Sequence, residues 1–417
     1  MPTRTWMLTG WSIGKKIVLH LSRYVSYYRW SKHGLINDTL ASQFISARWG
    51  VMSGRYRLYG TDFSLYTGKV RSYLLKKGIP FKEVHATARV YKRFIIPRTG
   101  VTYIPVLQTP EDEVIQDTTD IIDSLEQRHP EPSIYPETPK QRLVSLLLET
   151  YGDEWLVIPA MHYRWNFPKV NQPFIFRKFG SVVAPALPAF LRGWVGKRVG
   201  NKFKGFVPML GITEKTIPAI EKSYTDLLAD LNTHFEDHDY LMGGRPSIAD
   251  FGLMGPLYAH LYHDPYPGEL MRRTAPAVAA WVERMNSEEP ATGDFLAGDE
   301  IAATLMPILQ RMAHEQLPVL LDTDRQLAHW REQNPGAKIP RSIGEHEFAI
   351  EGVSGSRMIF PYAVWMFSRA VDFYRSLPLS GQQELDNLLR PLDFGDSLEL
   401  GLRNRLVRVD NKLQFSD

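Results

Sequence analysis

The alternation of short strand patterns with helix patterns in residues 55–126 constrains the fold of this chain more than any other feature. A strand, a helix and a strand are followed by an irregular basic stretch, and then by two strands and a helix. The predicted elements are, in order, Tyr56–Tyr59, Thr67–Lys77, Phe81–His85, 103–107, 113–115 and Thr118–Gln127. This βαβ–ββα order predicts a small α/β domain in which helices pack on a mixed sheet.

The pattern becomes helical after a proline-rich stretch at 129–139. Apolar residues then recur at the helical period. The predicted helices are Lys140–Ile158, Lys215–Asp237, Ser247–Tyr262, Ala275–Asn286 and one around Pro361–Leu377. The chain is therefore expected to divide into a basic N-terminal extension, an α/β domain, a linker, an all-helical domain with an insertion at 168–211, and an additional C-terminal segment. The expected bounds are 1–52, 53–128, 129–139, 140–295 and 296–417.

Composition excludes several classes of function. The chain has no cysteine, so disulfides, cysteine-ligated metals and a catalytic thiol of its own are excluded. The formal net charge is +3, and residues 1–50 contribute +6 from seven Lys/Arg and one Asp, which leaves 3 − 6 = −3 for the remainder. The body of the chain is therefore not expected to bind nucleic acid.

The basic residues 1–50 allow three interpretations. They are an amphipathic surface-binding arm, an organelle-targeting segment, or translated sequence ahead of a true start near Met52. They contain no uninterrupted apolar run of about 18 residues, so a membrane span is not expected. Membrane contact is expected only if these residues are native.

Three motifs in the α/β region place polar groups at the ends of predicted elements. Residues 58–71 join the first strand to the first helix through a turn that contains Ser64. Residues 102–107 enter a strand through Pro105, and residues 116–121 place Asp117 and Thr118 at a helix start. A fourth motif, Pro246 to Asp250, is a variant of the helix capping box in which Asp replaces Glu.

These four motifs, in this order, resemble those of the soluble glutathione transferases over roughly residues 55–290. The resemblance implies a thioredoxin-like domain followed by the all-helical C-terminal domain of that family, with glutathione as co-substrate. It implies that Ser64 is the catalytic hydroxyl and that a cis bond at Pro105 turns the backbone of Ile104 toward the cysteinyl part of glutathione. Asp117 and Thr118 would bind its γ-glutamyl end.

The resemblance departs from the family at Tyr103, where many members place Lys or Gln to hold the glycyl carboxylate. Arg98 or Arg93 from the basic stretch would have to supply that charge instead. The implied reaction is attack of the glutathione thiolate on a small hydrophobic electrophile. The implied setting is cytoplasmic detoxification, with a homodimer possible.

Each candidate also has a structural interpretation. Ser64 would cap its helix whether or not it touches sulfur, and Tyr66 or Thr67 could be the donor instead. Tyr66 is also expected to line the electrophile pocket. Four residues with helical spacing form either one wall of that pocket or ordinary core: Tyr151, Trp155, Ile158 and His162. No metal site is expected, since neither His260, His263 and Asp264 nor His234 and His238 has a well-placed further ligand.

The insertion contains a basic run interleaved with aromatic residues, from Arg192 to Phe206. It is either a solvated helix face, a contact with an anionic membrane surface, or a contact with the carboxylates of glutathione.

A second hypothesis for the whole chain is non-enzymatic. In it, a transferase-fold module binds or assembles with a partner, and its C-terminal segment folds across the cleft.

Overall fold

The structure is a computed structural model that describes residues 54–416. The basic N-terminal extension therefore lies outside the described residues. The described part of the chain begins with the α/β unit. Its elements are β1 (Tyr56–Gly60), α1 (Leu65–Lys76), β2 (Phe81–His85), β3 (Val106–Gln108), β4 (Val114–Gln116) and α2 (Thr118–Arg128). The four strands form one sheet in the order β2-β1-β3-β4. Strands β1 and β2 are parallel, whereas β1 with β3 and β3 with β4 are antiparallel. The predicted βαβ–ββα order is confirmed.

The prediction of an irregular stretch at 86–100 is wrong. Most of it is helical, in three consecutive pieces: Ala88–Val90, a π-helical turn at Tyr91–Ile95, and Ile96–Thr99. Thr87 caps the first piece, because its hydroxyl oxygen accepts from the backbone N–H of Val90 at 3.2 Å. Val90 and Ile95 then pack on a small second core with Tyr59 and Val106. Val90 and Ile95 are the two buried apolar residues of these helical pieces, and they lie among exposed cations. The sequence therefore shows too weak a helical period to predict the helices.

The rest of the chain is mainly helical, as expected for the all-helical second domain. Its helices up to residue 285 are α3 (Pro139–Thr150), α4 (Val157–Trp165), α5 (Pro168–Val183), α6 (Ala189–Lys204), α7 (Ile217–Asp237), α8 (Ile248–Ala259), α9 (Pro265–Thr274) and α10 (Pro276–Met285). Two short turns complete this part, a π-helical turn at Tyr151–Trp155 and a 3-10 turn at Pro208–Leu210. The insertion at 168–211 is therefore a pair of helices.

The predicted capping box at the start of α8 is confirmed. The carboxylate of Asp250 accepts from the backbone N–H of Ser247 at 2.8 Å and also from Leu241 N–H and the Trp281 indole. Because Asp250 is fully buried, these bonds compensate its lost hydration. The motif therefore joins α8 to the turn before it and to α10.

The C-terminal segment adds helices and two hairpins to this body. Its longer elements are α11 (Met306–Arg311), α12 (Leu317–Gln333), β5 (Glu345–Ile350), β6 (Val353–Met358), α13 (Tyr362–Ser376), α14 (Leu379–Leu389), α15 (Ser397–Leu400), β7 (Leu406–Val409) and β8 (Lys412–Phe415). Short turns lie at Ala297–Asp299, Ala303–Leu305, Met312–Gln316 and Arg390–Leu392. Strands β5 and β6 pair antiparallel, as do β7 and β8. The predicted helix around Pro361–Leu377 is α13.

A buried ionic cluster joins the α/β unit, the helical unit and the C-terminal segment. Glu149 of α3 accepts from Lys69 of α1 at 2.7 Å and from Arg369 of α13 at 2.9 Å. Lys69 also contacts Asp153 at 2.5 Å, and Arg369 also contacts Asp123 at 3.0 Å. Burial alone would raise the pKa of Glu149, but Arg369 and Lys69 together hold it below its ordinary value. Glu149 is therefore ionised in the folded chain.

Replacing Glu149 with glutamine tests the importance of this cluster. Glu149→Gln keeps the side-chain shape but leaves two buried cations short of one carboxylate, so we expect the free energy of unfolding to fall by about 3 kcal/mol. Urea unfolding followed by circular dichroism measures the change. The control is Glu332→Gln, because Glu332 is 79% exposed and its substitution should change stability by less than about 0.5 kcal/mol. Equal stability of the two variants would contradict the assignment.

Candidate functional site

Ser64 lies at the N-terminus of α1, in the turn that leaves β1. Its hydroxyl oxygen accepts from the backbone N–H of Thr67 at 3.4 Å, which makes it the N-cap residue of the helix. The first turn of α1 contains no acidic residue, so the positive end of the helix dipole is not neutralised there. Because the oxygen accepts the capping bond, the hydroxyl proton remains available for a ligand.

The turn that carries Ser64 is held by side chains of the helical unit. Arg164 of α4 donates to the carbonyl of Phe63 at 3.1 Å, and Asp264 fixes its guanidinium at 2.6 and 2.9 Å. Lys178 of α5 forms an ion pair with Asp62. Arg164 and Asp264 are buried, so this support is rigid. The position of Ser64 therefore depends on both units.

The neighbouring hydroxyl groups, those of Tyr66 and Thr67, are held in structural positions. The hydroxyl of Tyr66 donates to the carbonyl of Asp153 at 3.1 Å, and burial raises its pKa well above the ordinary value. Thr67 is fully buried against Gly60, where an added Cβ would lie 2.3 Å from the Thr67 side chain. Among Ser64, Tyr66 and Thr67, the hydroxyl of Ser64 can most easily turn its proton toward a ligand.

The backbone has two unusual features within these motifs. The Ile104–Pro105 bond is cis, as the sequence motif suggested. Asp117 precedes α2 with φ of 95°, a conformation that non-glycine residues rarely adopt and that costs on the order of 1–3 kcal/mol. The Asp117 carboxylate accepts from the backbone N–H of Thr119 at 2.9 Å. Thr118 is buried in the first turn of the helix.

The C-terminal segment covers the carboxylate of Asp117. The Tyr362 hydroxyl, at the start of α13, donates to Asp117 Oδ2 at 2.6 Å. The Arg408 guanidinium, on β7, lies 3.5 Å from Asp117 Oδ1 and also contacts Asp120 and the side chain of Gln116. Arg408 is only 7% exposed, so these contacts are shielded from water. Asp117 is thus neutralised by residues that no motif had indicated.

Tyr103, at the expected position of the glycyl carboxylate, and Arg98, one of the two arginines proposed to bind it, have different surroundings. Tyr103 is 46% exposed, and its ring faces the Arg341 guanidinium at 5.7 Å. Arg98 pairs with Asp112 at 3.1 Å, and the same Asp112 is bonded to Gln108 at the far end of β3 from Pro105. The structure therefore gives Arg98 another partner, and it places the exposed Arg341 beside Tyr103 instead. The sequence analysis missed Arg341.

The predicted stripe of Tyr151, Trp155, Ile158 and His162 is not continuous. A π-helical turn at Tyr151–Trp155 separates α3 from α4 and changes the direction in which each side chain points. Tyr151 is buried near Glu315 and Arg311. His162 is bonded to Glu221 at 2.9 Å and to Asn166, and burial lowers its pKa.

Trp155 contacts the C-terminal segment. Its indole N–H donates to Glu315 at 3.1 Å, and its ring meets Phe348 edge-on at 6.2 Å and the Arg357 guanidinium at 5.3 Å. Tyr151, Ile158 and His162 are therefore buried side chains, and Trp155 packs against the hairpin of β5 and β6.

Arg357 of β6 is a second residue that the sequence analysis missed. Its side chain is buried, and its Nε and Nη1 atoms have no hydrogen-bond partner among the described residues. Burial lowers its pKa to about 10, with Glu154 as the acid that opposes the shift. Burial and the nearby Asp153 and Asp117 raise the pKa of Glu154 to about 8. No local sequence motif marks Arg357 or Glu154, because the surroundings of both residues come from contacts between distant segments.

Within residues 54–416, no three His, Asp or Glu side chains are grouped as ligands of a metal ion. Over the same residues, none of the helices is both long enough and apolar enough to cross a bilayer.

Comparison with known proteins finds the two domains of one family in this chain. Residues 58–133 match the glutathione S-transferase N-terminal domain, and residues 205–289 match the glutathione S-transferase C-terminal domain. The two matches occur in the family order on the units described above. The chain therefore contains the two glutathione S-transferase domains over these residues. A search of curated proteins finds no match.

Several solved structures are similar to this chain. A glutathione S-transferase from Rhodospirillum rubrum has 16% identity and a TM-score of 0.36, covering 60% of this chain and 96% of that one. A β-etherase from a Sphingobium strain has 18% identity and a TM-score of 0.39, covering 57% and 96%. A Methylobacterium radiotolerans transferase in complex with glutathione sulfonate has 20% identity and a TM-score of 0.35, covering 58% and 98%. At these values the similarity assigns no activity or substrate.

Proposed function

We propose that this chain binds glutathione and activates its thiol for attack on a hydrophobic electrophile. The observation that carries the proposal is the position of Ser64 at the N-terminus of α1, with its hydroxyl proton free to turn toward a ligand. A hydroxyl that donates to sulfur, together with the positive end of the helix, favours the thiolate over the thiol. The thiolate is the nucleophile, so a lower thiol pKa raises the reactive fraction at neutral pH.

The remaining groups of the tripeptide have partners in the proposal. The backbone of Ile104, beside the cis bond, would pair with the cysteinyl unit. Asp117 and Thr118 would bind the γ-glutamyl end, where the cost of the positive φ at Asp117 favours a functional reason for that backbone. Arg341, beside Tyr103, is better placed than Arg98 for the glycyl carboxylate.

The electrophile would lie on the side of the cleft formed by Tyr66, Trp155 and the C-terminal segment. Arg357 is the polar group that this segment adds, and its unpaired N–H groups suit an oxyanion of the substrate. We propose a cytoplasmic setting for this reaction, in which glutathione is abundant.

A second candidate function is supported by the contacts on Asp117. Tyr362 and Arg408 occupy the carboxylate that the α-amino group of glutathione would need. If those contacts are permanent, the chain is a transferase-fold binding or assembly module that does not bind glutathione. If they open, they compete with glutathione and set its affinity.

Ser64→Ala tests thiol activation. We expect glutathione to bind with similar affinity, while the pKa of its bound thiol rises by about 1–2 units, the equivalent of one lost hydrogen bond to a charged sulfur. Calorimetry measures the binding, and ultraviolet thiolate absorbance against pH measures the pKa. Ser72→Ala is the control, because Ser72 lies on the same helix but donates to the carbonyl of Met285. A bound thiol with the same pKa in wild type and Ser64→Ala would refute the role of Ser64.

Tyr362→Phe tests competition at Asp117. The variant removes the donor to Asp117 Oδ2, so glutathione should bind about 3- to 10-fold more tightly, the value of one hydrogen bond. Calorimetry measures this ratio. Tyr374→Phe is the matched control on the same helix, since the Tyr374 hydroxyl donates to Asp386. Failure of both wild type and Tyr362→Phe to bind millimolar glutathione would favour the assembly module.

A further inference from the structure

The insertion forms a hairpin of two helices, α5 and α6, whose inner faces are in very close contact. A Cβ added at Gly196 of α6 would lie 1.8 Å from the carbonyl oxygen of Phe176, and one added at Gly180 of α5 would lie 2.0 Å from that of Arg192. The two backbones therefore touch, and the pair is fixed as a unit. Helix α6 packs mainly on α5, which leaves its other face toward solvent.

That outer face exposes large apolar side chains near the tip of the hairpin. Phe190 is 78% exposed and Trp194 is 63% exposed, one helical turn apart, and Leu191 lies beside them. The tip itself is uncharged, because residues 179–191 contain no Lys, Arg, Asp or Glu. Large exposed apolar side chains that cluster in this way mark an interaction surface rather than chance exposure.

The charged side chains in and around the insertion are all cationic. Residues 155–213 contain nine Lys/Arg and no Asp or Glu. Two of the nine are used internally, Arg164 with Asp264 and Lys178 with Asp62. Four of the others project from the basal half of α6, and within residues 54–416 none of these four has an ion-pair partner: Lys197, Arg198, Lys202 and Lys204. The surface therefore complements an anionic partner.

The apolar and cationic groups are arranged along the hairpin rather than around it. At 1.5 Å per residue, Trp194 lies ~6 Å along the helix from Phe190, and Lys197 lies ~10 Å from it. An interfacial helix buries apolar side chains to a depth of about 5–10 Å, at the boundary between headgroups and acyl chains. The apolar tip fits that depth, and the cations then lie at the level of the headgroups.

We propose that the α5–α6 hairpin docks this chain onto an anionic lipid bilayer. Phe190, Leu191 and Trp194 enter the interface, while the four basal cations contact acidic headgroups. The uncharged tip distinguishes this surface from a nucleic-acid site, in which cations would have to reach the backbone along the whole contact. The docking does not depend on the glutathione site, and it is separate from the basic residues 1–50.

Vesicle flotation of the full chain tests this docking. We expect binding to mixed phosphatidylserine–phosphatidylcholine vesicles, little binding to phosphatidylcholine alone, and a loss at high salt. Phe190→Ser combined with Trp194→Ser should lower the bound fraction at least about 10-fold. Glutamine at Lys197, Arg198, Lys202 and Lys204 should lower the partition coefficient by about 100-fold or more. All of these side chains are exposed, so the variants should fold, as circular dichroism can verify.

Two control variants test whether vesicle binding depends on the hairpin itself or only on the net charge and exposed apolar surface of the whole chain. Glutamine at the exposed Lys82, Arg89, Lys92 and Arg93 removes the same four charges elsewhere, and Leu379→Ser removes another exposed apolar side chain. Both controls should bind vesicles like the wild type. The proposal is overturned if wild type does not bind anionic vesicles, or if the charge control loses binding equally. It is also overturned if the hairpin variants still bind, because residues 1–50 would then be responsible.

Discussion

The fully buried carboxylate of Glu149 is the contact on which the arrangement of this chain depends. One oxygen faces Lys69 of the α/β unit, and the other faces Arg369 of the C-terminal segment. Two cations and one acid in a dry environment are stable only together, because each charge would be costly to bury alone. The acid therefore links α1 and α13 through α3. Tyr362 lies seven residues before Arg369 on the same helix. The position of α13 therefore brings Tyr362 into contact with Asp117.

The C-terminal segment consequently forms part of the candidate site. It supplies Tyr362 and Arg408 at Asp117, Arg341 at Tyr103, and Arg357 beside Trp155. These four contacts come from one segment that the two family domains lack. The helical unit contributes support from another side, where Arg164 and Lys178 hold the turn that carries Ser64. A glutathione molecule would therefore meet a site whose walls belong to three parts of the chain.

The sequence predicted the local parts of this arrangement well. Strand β2 and helix α2 lie within one residue of their predicted bounds, because an alternating or helical pattern specifies them locally. The cis bond before Pro105 and the capping box at Ser247 were also predicted, since each is encoded by a short motif. The π-helical turn after α3 was not predicted, because one extra residue per turn leaves no mark in composition. Contacts such as Tyr362 to Asp117 join residues 245 positions apart, and no local pattern encodes them.

Amide hydrogen exchange of the full chain, with and without millimolar glutathione, tests whether the C-terminal segment covers a glutathione site. Exchange reports local opening along the backbone and needs no assumption about the electrophile. We expect slower exchange at 101–107 and 116–121, where glutathione would bind, with faster exchange at the start of α13 and in β7 as Tyr362 and Arg408 leave Asp117. Unchanged exchange in all four regions would contradict a glutathione site covered by the C-terminal segment.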